Sequence, residues 1–131
     1  MSQSNYEKVR DYLLTLECAI VKESPQEQWF IIDKEEEGIT NMVIQVAEPI
    51  LVVEQHLFVL KSDKPAVYKE LLKKNGDIIH GAFVLGEDEK NVFFRDTLAI
   101  ENLDINELQS TLNSLGLLLA EFTDEIIEYS K

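Results

Sequence analysis

With 131 residues, 45% of them hydrophobic, the chain has the size and apolar content of one folded domain. Its formal net charge of −13, with 25 acidic against 12 basic residues, argues against nucleic-acid binding and against anionic membrane surfaces, since both need clustered Lys and Arg. A single cysteine, Cys18, rules out an internal disulfide or a thiolate metal cluster and fits a reducing compartment.

The polar N-terminal stretch MSQSNYEKVRDY lacks the apolar core of a signal peptide. No apolar run approaches the roughly 20 residues needed to cross a bilayer, so a soluble, cytoplasmic protein is expected. Ser4 and Glu7 have the spacing of a capping box. Behind them Tyr6, Val9, Leu13 and Leu16 recur at three- and four-residue steps, which predicts an amphipathic helix over 4–17.

From Cys18 to Lys61 the texture changes to CAIVKE, QWFIID, NMVIQVA and ILVVEQHLFVL, separated by turn-like SPQE, KEEEG and EP. Connections this short predict an antiparallel meander of four strands. Asp63 is then the expected N-cap of a second helix, with Pro65 in its first turn. Val67, Leu71 and Leu72 give that helix its apolar stripe, and Lys73 and Lys74 suit the dipole at its end. Gly76 is the expected left-handed stop.

The stretch from Ile78 to Leu98 reads as a β-hairpin turned by GEDEKN, with Ile79, Phe83 and Leu85 on one strand face. Asp104 and Glu107 form another cap pair. After it, Ile105, Leu108, Leu112, Leu115, Leu119, Phe122, Ile126 and Tyr129 step by three and four as a long apolar stripe, widened by Leu117 and Leu118. The fold class expected from this order is α+β, a single domain over residues 1–131.

The candidate sites are weak. His80 and Asp96 could face each other across the hairpin, but no activated nucleophile completes a catalytic set. Cys18 sits among apolar neighbours, as an inert thiol would. Glu54 and His56 share one face of a strand, yet two ligands do not make a metal site. The GEDEK turn is too short for a calcium loop, and with Glu35–Glu37 it reads as one of two solvated acidic turns. No glycine-rich phosphate motif is present. Of Trp29 and Phe30, at least one ring is expected in the core. No catalytic residue, metal or cofactor is therefore expected.

One feature points outward. Strict alternation in ILVVEQHLFVL places Leu51, Val53, Leu57 and Val59 on one face and Ile50, Val52, Phe58 and Leu60 on the other. A strand apolar on both faces needs cover on both. The alternatives are a second copy, a partner chain, or a bulge or twist that absorbs the excess. Ile50, Val52, Phe58 and Leu60, together with Leu117 and Leu118, form the expected partner or dimer surface.

The segment YKELLKKNGDIIHGAFVLGEDEKNVFFRDTLAIENLDINELQSTLNSL, from Tyr68 onward, resembles the YbjN-like family, whose members look like type III secretion chaperones in fold. The likeness lies in the LL..N helix end, the GAF.L.ED..V.F hairpin and the L..ENLD..EL...L..L start of the last helix. The resemblance implies the order α-β-β-β-α-β-β-α, with helices on one side of a twisted antiparallel sheet. Four strands, not three, are read here before the middle helix, so CAIVKE is an extra strand, a short edge strand or a helix extension. The resemblance further implies a non-enzymatic protein, often dimeric, that presents sheet and helix surfaces to another polypeptide. A small-ligand-sensing regulatory domain, with a pocket between sheet and helices, is the alternative.

Overall fold

The computed structural model describes residues 3–61 and 64–131. Helix α1 (Asn5–Thr15) starts at Ser4, whose Oγ accepts from the Glu7 N–H at 3.1 Å. It ends where Glu17 turns left-handed, at φ 63°, while the Cys18 N–H reaches back to the Leu13 carbonyl. Tyr6, Val9, Leu13 and Leu16 are its buried face, as their spacing predicts.

Four strands follow: β1 (Ala19–Ser24), β2 (Trp29–Lys34), β3 (Ile39–Ala47) and β4 (Ile50–Val59). CAIVKE is thus an edge strand. After helix α2 (Pro65–Asn75), β5 (Ala82–Leu85) and β6 (Asn91–Ala99) form the hairpin, and helix α3 (Ile105–Tyr129) closes the chain. The six strands make one antiparallel sheet in the order β1-β2-β3-β4-β6-β5. Because β6 lies between β4 and β5, those two run parallel, and α2 supplies the crossover that parallel strands require. The expected N-cap Asp63 lies outside the described residues.

Buried side chains from all three helices join Phe30, Ile32, Met42, Ile44, Leu51, Val53 and Phe94 in one core. The helices therefore cover a single face of the sheet. The α3 stripe is borne out by the buried Leu108, Leu112, Leu115, Phe122, Ile126 and Tyr129, with Ile105 and Leu119 partly buried at its margin. Asp104 caps the helix through a 2.8 Å bond from the Glu107 N–H.

Three expectations change. The alternation along β4 breaks at a bulge: His56 pairs with Phe93 and Phe58 with Val92, which leaves Leu57 as the extra residue. The core face is therefore Leu51, Val53, Gln55, Phe58 and Leu60, all buried. Gly76 is right-handed, and α2 instead tapers through tight bonds from Gly76 to Lys73 and from Asp77 to Lys74. The left-handed turn falls to Gly81, at φ 89°, which leads the chain into β5 and leaves Ile79 outside the strand, 89% exposed. Finally, the Glu35–Glu37 turn is only partly solvated. Glu37 is half-buried, and Gly38 and Gly116 let the turn and α3 approach closely.

Candidate protein-binding surface

The sheet face away from the helices is built by the residues that alternate with the core set. Cross-strand pairing sets Ile31, Val43, Glu54, Arg95 and Ala82 in one row. Gln45, Val52 and Thr97 form a second, and His56, Phe93 and Val84 a third. Val43 and Ile50 are 37% and 36% exposed, while Val52 and Phe93 are half-buried between their neighbours. Glu54 and Arg95 pair at 3.5 Å, and His56 bonds to Asn91 at 2.7 Å with its ring edge-on to Phe93. The face is a mixture of apolar side chains and paired charges, as in a sheet open to solvent.

The six residues of the expected partner surface do not share a patch. Ile50 and Val52 lie on this open face. Phe58 and Leu60 lie in the core because the bulge reverses the strand beyond His56. Leu118 is buried in the core, whereas its neighbour Leu117 stands 71% exposed on α3. The surface therefore narrows to Ile50, Val52 and Leu117, which occupy two separate layers. Val43 and Phe93 belong with Ile50 and Val52. Only the alternation within NMVIQVA and VFFRDTL signals them, and it does not say which of the two faces is covered.

The other candidates sort as follows. Asp96 accepts from the Thr111 hydroxyl at 2.7 Å, and what ties His80 to the fold is its carbonyl, which accepts from Ser114 Oγ at 2.6 Å. The two candidates are thus each held by α3. Burial pushes the Cys18 thiol up from its usual value, so it stays protonated. Phe30 is core, and half-buried Trp29 donates to Glu27 at 3.1 Å. Among the described residues, no three His, Cys, Asp or Glu side chains gather to hold a metal ion.

A second surface feature lies on the helix side. The Asp77–His80 segment and α3 enclose an open groove of about 590 Å³ between them. Leu118 and Phe122 form its floor, and Ile78, Ile79 and Leu117 its apolar walls. A smaller pocket of about 220 Å³ sits between α2 and β5, lined by Tyr68, Leu71, Leu72 and Phe83 among others.

The CesT_Tir_1 family model matches residues 2–131. The chain belongs to this family of type III chaperones. The backbone of this CesT_Tir_1 member is similar to YbjN from E. coli, described as a proposed transcription regulator, at a TM-score of 0.70 and 11% identity over 95% of this chain and 96% of that one. It is also similar to a chain of the HopA1–SchA chaperone–effector complex, at a TM-score of 0.63 and 12% identity over 99% and 98%. An uncharacterised protein from Methanothermobacter thermautotrophicus aligns at a TM-score of 0.59 and 14% identity over 98% and 100%. At such identities these likenesses carry the fold. No curated protein matches the sequence at a significant level. Among the described residues, no helix is long and apolar enough to cross a membrane.

Proposed function

We propose that this protein is a non-enzymatic, cytoplasmic chaperone-like adaptor that binds another polypeptide through its sheet and helix surfaces and works as a homodimer. Membership of a chaperone family supports the reading. So does the likeness to a structure that is itself a chaperone–effector complex. The observation that carries it is the one-sided sheet, with helices on one face only and Val43, Ile50, Val52 and Phe93 left on the other. An extended or helical segment of a partner, or a second copy, would cover these side chains and gain their transfer from water.

The charge of −13 weighs against reading the YbjN likeness as nucleic-acid binding, since no basic stripe is available for phosphates. A small-ligand sensor fits less well. The pocket between α2 and β5, at about 220 Å³, is smaller than the range of about 300–1,000 Å³ usual for small-molecule sites, and the 590 Å³ groove beside α3, though within that range, is open to solvent rather than enclosing.

The test is affinity capture from the source cytoplasm with wild type and Val43→Asp/Val52→Asp, alongside sedimentation of both. Wild type is expected to retain one partner near stoichiometry, through a mappable segment, and to sediment as a dimer. The double variant is expected to lose at least one of these while keeping its fold. A monomer that binds no polypeptide in either form would overturn the reading.

A further inference from the structure

The groove between Asp77–His80 and α3 combines three properties. Its apolar walls are unusually exposed for a folded chain, with Ile79 at 89% and Leu117 at 71%. It is structurally fixed, because Ser114 Oγ holds the His80 carbonyl at 2.6 Å and Gly81 lies against the Phe94 ring too closely to admit a Cβ. Its charged lining is of one sign: Asp77 and Glu121 line it, with His80, and neither Lys nor Arg does. Exposed Asp124 and Glu125 continue the acidic side of α3 beyond it. The nearby ammonium of Lys74 is engaged over the Phe122 and Tyr129 rings, 5.2 and 5.7 Å from their centroids.

We infer that this groove docks a cationic amphipathic segment of a partner polypeptide, with apolar anchors on Ile79, Leu117 and Phe122 and Lys or Arg over Asp77 and Glu121. The inference rests on the polypeptide-binding reading but places the contact away from the open sheet face. Its length suits such a segment. From Ser110 to Phe122 the helix rises about 18 Å, which matches some three turns of a docked helix. A second copy would bring its own charge of −13 to a rim that is already acidic, so the complementary occupant is a basic partner rather than the dimer mate.

The probe is a fluorescein-labelled amphipathic Leu/Lys peptide of about 14 residues, long enough to span the groove as a helix, with its Leu/Glu counterpart as control. Anisotropy is read at low and moderate salt. The Leu/Lys peptide is expected to bind and the Leu/Glu peptide not to bind. Ile79→Ser/Leu117→Ser, both at solvent-exposed positions, should weaken binding by about tenfold or more. Asp77→Asn/Glu121→Gln should weaken it and flatten its salt dependence, while Glu35→Gln/Glu36→Gln, an equal charge change elsewhere, should leave it near wild type.

Equal effects from the two charge variants, or none from the serine variants, would reduce the binding to general charge attraction and overturn the assignment. Self-association abolished by the serine variants, without peptide binding, would assign the groove to a second copy and also overturn it. In either case a partner or dimer sensitive to Val43→Asp/Val52→Asp would leave the broader reading standing. Loss of that sensitivity as well would remove both.

Discussion

The side-chain amide of Asn75 occupies the place of a neighbouring strand at Phe83. Its Oδ1 accepts from the Phe83 N–H at 2.7 Å and its Nδ2 donates to the Phe83 carbonyl at 3.1 Å. Strand β5 is an edge of the sheet, so the groups of Phe83 that Asn75 holds have no strand partner on that side. An unpaired edge is a template for association with another chain, and here the last residue of α2 closes it.

Asn75→Ala is expected to leave one donor and one acceptor unsatisfied and to cost about 1–2 kcal/mol. Asn75→Asp keeps the acceptor and loses the donor, so its urea midpoint should fall between alanine and wild type. Light scattering against concentration should show association beyond the dimer for the alanine variant alone. Unchanged midpoints in both variants would mean that water replaces the amide without loss.

Gln55 does comparable work inside the sheet. It is buried, its Oε1 accepts from the Thr40 N–H at 3.1 Å, and its Nε2 donates to the Gly38 carbonyl at 3.1 Å. Gln55→Leu preserves volume but orphans both backbone groups, so a loss of about 2 kcal/mol or more is expected. Gln55→Glu should be worse, because the carboxylate is buried and faces a carbonyl with no proton to offer. Denaturant titration with an unchanged slope is the check.

These two residues also mark where sequence reading stops. Ser4 with Glu7 and Asp104 with Glu107 are local pairs, and their spacing alone announces the helix starts that the structure has. The α3 stripe is as legible, because a three-four period over many turns has one geometric meaning. Strand β4 is not. Gln55 is polar yet buried, Val59 apolar yet 37% exposed, and the bulge at Leu57 that reconciles them leaves no mark in a pattern of period two. Gly76 and Gly81 are likewise equivalent in sequence. What separates them is the Phe94 ring against Gly81, a contact from a distant strand. Leu117 and Leu118 share the widened stripe, and only the packed helix shows which one is left outside.

The glycines give a graded test. A Cβ at Gly81 would lie 2.5 Å from the Phe94 ring at φ 89°, and the buried ring cannot yield. Gly81→Ala is expected to cost about 3 kcal/mol or more, combining backbone strain with overpacking. At Gly38, φ 76°, the nearest atom is a terminal methyl of Leu119 at 2.6 Å, which can swing aside. Gly38→Ala should cost about 1–2 kcal/mol, the left-handed penalty alone. The reverse order in thermal or urea unfolding would show that the 35–38 turn against α3 is the stiffer contact.

Glu23 sets the pH dependence of the α1–β1 contact. Its carboxylate accepts from Arg10 Nε at 3.1 Å and from the Tyr6 hydroxyl at 2.6 Å. These bonds, that of Arg10 first, hold its pKa below the ordinary glutamate value. Since the folded pKa lies below the unfolded one, about 4.3, the contribution is complete above that pH and is lost as pH falls through the folded value. Tyr6 behaves in the opposite sense. Burial, and then its bond to Glu23, raise its pKa, so its contribution is present below about pH 10, the unfolded value, and is lost as pH rises toward the folded one. Glu23→Gln keeps an acceptor but does not titrate, and should flatten the acid arm of unfolding free energy against pH while lowering stability at neutral pH. Tyr6→Phe should flatten the alkaline arm. An acid arm in Glu23→Gln as steep as that of wild type would place the acid sensitivity elsewhere, with exposed Asp88, whose pKa is lowered by its bonds from the Asn91 and Lys90 amides, the next group to replace.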